Sequence, residues 1–316
     1  MLEQPDPQYP FLRVEDIVKD YLQVLPKKRG AASGLSSGYK YLDEATGGFK
    51  EGELIIVSAP WPYLADCFLQ NLALNVAQDQ QRPVAYFSLG QKRDPLVHEM
   101  IGIMAQVDSA RIRTGYLRDD EKERLATISD SFVDVPLFIN DTNGQSVHDM
   151  RRHLKGCLEG QYGVKPALVI VDYLQLIVAW GKELPRKDEI DEILSELEDL
   201  AYTEKVPLVI KSLLYPACRT MECQQHRPVL ADYMKASETA LIDNYADRVF
   251  FVYRDIFGKR VGGYGERYGS YGGPESPDEN QLEIIVAKNP NGVLANIFLD
   301  WDNNGKINDR NLPTRG

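Results

Sequence analysis

The apolar run "ELIIVSA" (53–59) reads as a buried strand, and it leads through "PWPYLADCFLQN" into a helix over about 64–78. A strand that turns straight into a helix is a setting for phosphate binding. Backbone N–H groups and the positive helix end face the anion, and glycine lets the chain approach closely. A lysine then neutralises phosphate charge, and a threonine or serine holds Mg²⁺. Between Val57 and Asn71 the chain has no glycine, no lysine and no threonine. Pro60 and Pro62 each lack a backbone donor, Trp61 and Tyr63 fill space, and Asp66 sets a carboxylate near the helix start. As an N-cap, Asp66 would have an ordinary structural role. It would also put negative charge where a phosphate would sit.

Other reactive side chains form weaker patterns. Cys218, Cys223 and His226 lie close together in "CRTMECQQH". Zinc takes four ligands and a fourth is not evident, so no metal site is predicted. His148 and His153 are five residues apart, off the i, i+4 spacing of a shared helix face, and read as surface histidines. The acids of "DEIDEILSELEDL" form a solvated face opposite Ile190, Ile193, Leu194 and Leu197.

The elements that would position these groups alternate along the chain. "PVAYFSL" (83–89), "PLFIN", "ALVIVDYLQLI" and "VPLVIKSLL" read as strands; the stretch from about Pro95 to Gln106, "EKERLATISDSF", "VHDMRRHLKGCLE" and "KDEIDEILSELEDLAYTE" read as helices. Apolar strands alternating with helices imply a parallel sheet covered on both faces. The end differs: "ADRVFFVYRD", "QLEIIVAK" and "VLANIFLDW" are strands joined by loops, which predicts antiparallel pairing. The segment 258–280 is rich in glycine and carries three tyrosines. It reads as a hairpin tip or as an arm that stacks single-stranded bases.

Before the first strand, Val14, Ile17, Val18, Tyr21, Leu22 and Leu25 recur at helical spacing in "FLRVEDIVKDYLQVL" (11–25), stopped by Pro26 and followed by the linker "KKRGAASG". This stripe must dock on its own domain or on a neighbour. The expected division is residues 1–32 as tail, linker helix and linker, and 33–310 as one domain.

Composition narrows the class. The 316 residues carry a net charge of −11 and are 43% hydrophobic. An acidic chain does not coat nucleic acid indiscriminately, because phosphate neutralisation needs clustered Lys and Arg. No apolar run reaches the roughly 18 residues of a membrane span, and the first residues do not read as a signal peptide. Four scattered cysteines fit a reducing cytoplasm.

"SGLSSGYKYLDEATGGFKEGELIIVSA" resembles the entry to the RecA-like motor domain of bacterial replicative helicases of the DnaB type, a P-loop NTPase fold. "VAYFSL", "LVIVDYLQLI", "ADRVFFVYRD" and "IIVAKNPNG" resemble further blocks of that domain in order, from about Ser33 to Asn303. The resemblance implies a RecA-like mostly parallel sheet with antiparallel strands at the end. It implies ATP and Mg²⁺ as cofactors and docking of helix 11–25 on an adjacent subunit of a ring. It also sets the nucleotide site on Trp61, Pro62, Tyr63, Leu64, Ala65 and Asp66, with the family's glycine at Leu64, its lysine at Ala65 and its threonine at Asp66. The general base falls at Gly90, the sensor at Leu213 and the arginine finger at Pro290; Asp172 and the hairpin lysine Lys288 remain.

Five separate losses imply that ATP and Mg²⁺ binding are gone. An arginine finger alone is worth roughly 10³–10⁵ in rate. The expectation is a degenerate helicase-like protein acting as a binding or ring-assembly module in DNA replication or mobile-element biology. It would self-associate or join a helicase subunit through helix 11–25. Two alternatives stay open at this point: an active helicase with an atypical site, and a helicase regulator that does not bind DNA. In the family, DNA is met by loops that correspond to about 214–240. Here these hold Arg219, Arg227 and Lys235 among acids, which leaves single-stranded DNA an open partner.

Overall fold

A computed structural model gives the fold; it describes Val14 and residues 34–310, apart from 133, 182–183, 214–226, 231–240, 255–279 and 291. Nine strands among the described residues form one sheet in the order β3-β2-β4-β5-β1-β6-β7-β8-β9. They are β1 (Leu54–Ser58), β2 (Val84–Ser88), β3 (Leu137–Asn140), β4 (Leu168–Asp172), β5 (Leu208–Lys211), β6 (Arg248–Tyr253), β7 (Gln281–Lys288), β8 (Asn296–Trp301) and β9 (Ile307–Asp309). The strands from β3 to β6 pair in parallel, and β6 to β9 pair antiparallel. This is the arrangement expected from the sequence, with β9 added.

The helices are α1 (Lys40–Thr46), α2 (Pro62–Leu74), α3 (Arg93–Ala105), α4 (Ser109–Thr114), α5 (Asp119–Ser131), α6 (Val147–His153), α7 (Gly160–Tyr162), α8 (Arg186–Glu204) and α9 (Ile242–Tyr245). A π turn at Asn75–Asp79 extends α2, and another at Leu154–Glu159 follows α6.

Alternation along each central strand feeds two cores. Ile55, Val57, Tyr86, Ile170 and Val209 pack on the layer that holds α2 and α3. Leu54, Ile56, Phe87, Val171 and Ile210 pack on the layer that holds α6 and α8. A strand with both faces covered has little place for polar residues except at its ends, and Asp172, Lys211 and Arg248 lie at the ends of β4, β5 and β6.

Two polar ties join distant parts of the fold. Arg248, fully buried at the start of β6, donates to the Gly48 carbonyl at 2.8 Å and to Glu53 Oε1 at 2.9 Å. Gly48 has φ 76°, and a Cβ there would meet the Gly34 backbone at 2.9 Å, so this close approach requires glycine. Asn71 of α2 donates to the Gly305 carbonyl at 2.7 Å and accepts from the Ile307 N–H at 3.0 Å, which ties α2 to the turn before β9.

Removing one partner of a buried ion pair strands the other charge. Arg248→Met is therefore expected to lower the unfolding free energy by about 3–5 kcal/mol, read from the urea denaturation midpoint. A loss below about 1 kcal/mol would mean that the pair does not anchor β1 to β6.

Candidate functional site

The carboxyl ends of the parallel strands and the start of α2 meet at one edge of the sheet. In open α/β sheets this edge is where ligands bind. Asp172 ends β4, Lys211 ends β5, and the two are cross-strand partners; Lys211 is also the partner of Val57 on β1. Ile170 and Val209 point into the α2 layer. Two residues further on, Asp172 and Lys211 point the same way, because side chains repeat every second residue along a strand. Helix α2 starts just past β1 and carries Asp66 over the same edge.

These three residues form one ionic unit. Lys211 Nζ donates to Asp66 Oδ1 and is ion-paired with Asp172 Oδ1. Its ammonium also lies 5.0 Å from the centre of the Tyr173 ring. The Lys211 and Asp172 side chains are buried, while Asp66 keeps 29% of its side-chain surface. Burial works against the Lys211 charge, but Asp172 and Asp66 outweigh it and hold its pKa above the ordinary lysine value. The Asp66 carboxyl is pushed up to about 6, first by burial; Lys211 opposes the shift and Asp172 adds to it. Beside this unit Glu99 accepts from Gln70 at 2.6 Å and from Gln91 at 3.0 Å. The Tyr86 hydroxyl, on the same face of the sheet, is fully buried without a hydrogen-bond partner.

The turn before α2 corrects part of the sequence reading. The helix begins at Pro62 with Trp61 as its N-cap, so Asp66 sits in the second turn and is not a cap. Its partner is Lys211, a residue the sequence reading left without a role. Leu64 and Ala65 are buried in the core beneath the helix. Pro62 has no N–H, and the Leu64 N–H is spent on the Trp61 carbonyl at 3.0 Å. Trp61 packs against the core as expected, but Tyr63 is 41% exposed and does not fill the turn. The Tyr63 ring centre lies 6.3 Å from that of Trp61 and 6.3 Å from that of Trp301. Arg254 caps the row, with its guanidinium 4.3 Å from the centre of the Trp301 ring.

The remaining positions are placed as follows. A Cβ on Gly90 would meet the Tyr173 ring at 2.9 Å, so the ring beneath Lys211 also closes the position where the resemblance sets a general base. Leu213 donates its N–H to Gln175 Oε1 at 3.2 Å, and Pro290 is exposed. Lys288 donates to the Asp243 carbonyl at 2.5 Å and lies 3.4 Å from that residue's carboxylate. Of the residues proposed to meet DNA, Arg227 forms a two-point pair with Glu283 at 2.6 and 2.9 Å, while Arg219 and Lys235 fall outside the described residues. In the amino-terminal stripe Val14 is exposed; Ile17, Val18, Tyr21, Leu22 and Leu25 lie outside the described residues. So do Cys218, Cys223, His226 and the glycine- and tyrosine-rich stretch up to residue 279. His148 stacks on Trp180 with ring centres 4.4 Å apart. Among the described residues no group of three or more His, Cys, Asp or Glu could hold a metal ion, and no helix is long and apolar enough to cross a membrane.

Residues 34–307 match the family described as DnaB-like helicase C terminal domain. The chain belongs to that family. Among its relatives are the replicative DNA helicase DnaC of Bacillus subtilis (strain 168), 30% identical over 92% of this chain, and the replicative DNA helicase DnaB of Geobacillus stearothermophilus, 31% identical over 92% of it. In both cases the match spans 60% of the relative's own length. Two solved structures share the fold. One is a DnaB-like replicative helicase described with its interactions with primase (TM-score 0.77, 22% identity, covering 95% of this chain and 68% of that one). The other is an ATPase domain (TM-score 0.77, 22% identity, covering 94% of this chain and 98% of that one). The DnaB-like assignment bears out the resemblance drawn from the sequence blocks.

The raised Asp66 pKa has a consequence for this DnaB-like chain. An unfolded aspartate titrates near pH 4, so between about pH 4 and 6 the folded chain binds more protons at Asp66 than the unfolded chain does. The Asp66 contribution to stability should therefore grow as pH falls through 6 and be complete below about 4. Urea midpoints recorded from about pH 7.5 to 4.5 should show this component in the wild type and not in Asp66→Asn. Identical slopes for the two proteins would contradict it.

Proposed function

We propose that the chain is a DnaB-like module whose nucleotide site is filled from within, and that it serves as a binding or ring-assembly component in DNA replication or mobile-element biology. One observation carries this reading: Lys211 binds Asp66 and Asp172 at the edge where the family resemblance sets the phosphates and Mg²⁺. The residues present do not fit a magnesium nucleotide. Ala65 supplies no charge, and Leu64 is packed into the core where close backbone approach is needed. At the position of the Mg²⁺-holding hydroxyl stands Asp66, whose carboxylate is already bound to Lys211. Entry of a triphosphate would place its charge beside two carboxylates, each close like-charge contact costing about 1–4 kcal/mol.

Gly90 supports the same reading. Restoring a carboxylate there would require moving Tyr173, and with it the ring that faces Lys211. The assembly role rests on family resemblance and on the apolar stripe of helix 11–25, which would dock on another subunit of the same chain or on a helicase subunit.

Calorimetric titration of the purified chain with ATP and Mg²⁺ tests the reading, together with phosphate release in the presence of single-stranded DNA and an Asp172→Ala control. The expected result is no saturable binding and no release above the control. Micromolar binding or DNA-stimulated release would establish an active site instead. Deleting residues 1–25 is expected to reduce the assembly mass in light scattering; an unchanged mass per chain would remove the proposed role of that helix.

A further inference from the structure

We propose that Lys211 is a tethered substitute for a divalent cation: its ammonium keeps closed a two-carboxylate site that Asp66 and Asp172 would otherwise offer to such an ion. This rests on the reading that the nucleotide site is filled from within, and it names what fills it.

One nitrogen atom is in contact with an oxygen from each carboxylate, so both oxygens lie within reach of a single small cation. Hard divalent ions accept this kind of donor set; Mg²⁺ is commonly held by one or two carboxylates and keeps several waters. Mn²⁺ shares the preference for carboxylate and water oxygens. The surroundings favour a cation over an anion. Asp66 and Asp172 both pair with Lys211 at this edge, and the Asp66 carboxyl feels Glu99 as well as Asp172. Asp66 keeps part of its surface exposed, which gives an entry path, while Asp172 is enclosed.

A second, independent observation comes from Tyr86. Its hydroxyl is fully buried and unpartnered. Burial first, then Asp172, Asp66, Glu99 and Cys67, hold its pKa well above the ordinary tyrosine value. Buried hydroxyls in folded proteins find a partner as a rule. A cation carrying coordinated water in place of the ammonium would supply one.

An ammonium on a short tether differs from a free ion in one respect. It cannot be diluted away, so both carboxylates keep a cationic partner at any metal concentration. The wild-type fold should therefore be indifferent to both chelator and Mg²⁺, and shortening or neutralising Lys211 should make it respond.

The test uses Mn²⁺ alone, without nucleotide, on the full chain. Free Mn²⁺ is followed by its electron paramagnetic resonance signal, and thermal melting is recorded with Mn²⁺ or with chelator. Lys211→Met keeps the aliphatic stem and removes the charge; Lys211→Arg keeps the charge. The wild type and Lys211→Arg should take up no Mn²⁺ beyond that seen for Asp66→Asn. Lys211→Met should bind one Mn²⁺ per chain at least about tenfold more tightly than the wild type and should melt higher with Mn²⁺ than with chelator. Asp66→Asn/Lys211→Met should lose both effects.

Equal uptake by the wild type and Lys211→Met overturns the proposal. So does a Lys211→Met protein that is unfolded and is not recovered by Mn²⁺, because a two-carboxylate site would be rescued by the ion. Nucleotide titration of the wild type judges the proposed function separately, so a chain that binds ATP and a chain without the cation site give different results.

Discussion

One ammonium group serves two carboxylates at a place largely withdrawn from water, and the local structure depends on that sharing. Taking three charges out of solvent is expensive, and mutual attraction compensates only in part, since burial still holds the Asp66 pKa above its ordinary value. The unit is thus a constraint more than a source of stability. Asp66 is on α2, Asp172 on β4 and Lys211 on β5, so the ionic contact ties a helix start to two strand ends. The unit carries an excess of negative charge, and the amides of Gln70 and Gln91 hold Glu99 beside it. An anionic ligand at this edge would meet carboxylates whose counter-charge, Lys211, is already bound.

The sheet produces this contact through register. β4 and β5 run parallel, with Asp172 opposite Lys211. Both strands are apolar up to those residues and alternate their side chains between two packed layers. The last residue of each is the first that can be charged without breaking a core. Both fall on the α2 side because they lie two positions beyond Ile170 and Val209, which face that side. A shift of one residue in either strand would send its charge to the α8 layer and separate the pair.

The fold was legible because it rests on long apolar runs with regular spacing. "LVIVD" and "QLEIIVAK" could be read directly as strands, and the change from helix-linked to loop-linked strands announced the antiparallel end. β9 was not legible: it is three residues long, and its placement depends on the side chain of Asn71 rather than on its own pattern. In the site, the absence of glycine and lysine between Val57 and Asn71 is plain from residue type. The helix start was misplaced because Pro62 at the first helical position looks like a turn residue, although a fixed φ suits that position. Lys211 was overlooked because a lysine after "PLVI" reads as the solvated end of a strand. Its meaning depends on which strand lies alongside, and pairing between β4 and β5 is a long-range fact. The signal available was parity: two charges of opposite sign, each closing an apolar run in a buried parallel strand.

The charged edge and the two cores draw on largely different residues, with Leu64 and Ala65 shared between them. The two apolar layers are built from strand middles and helix faces. The charged edge is built from the start of α2 and from strand ends. The side chains at that edge pack locally: Leu64 and Ala65 lie in the layer beneath α2, the Tyr173 ring covers Gly90, and Arg254 stacks on Trp301. None of these contacts asks a central strand to move. A carboxylate at position 66 is the exception, since a buried charge cannot be absorbed by packing. It requires a cation, and β5 supplies one at a position whose side chain reaches both Asp66 and the carboxylate already present on β4. The dependence runs one way: Asp66 beside Asp172 alone would leave two carboxylates without a counter-charge, whereas Lys211 and Asp172 alone would make a balanced pair, so the carboxylate at position 66 depends on Lys211.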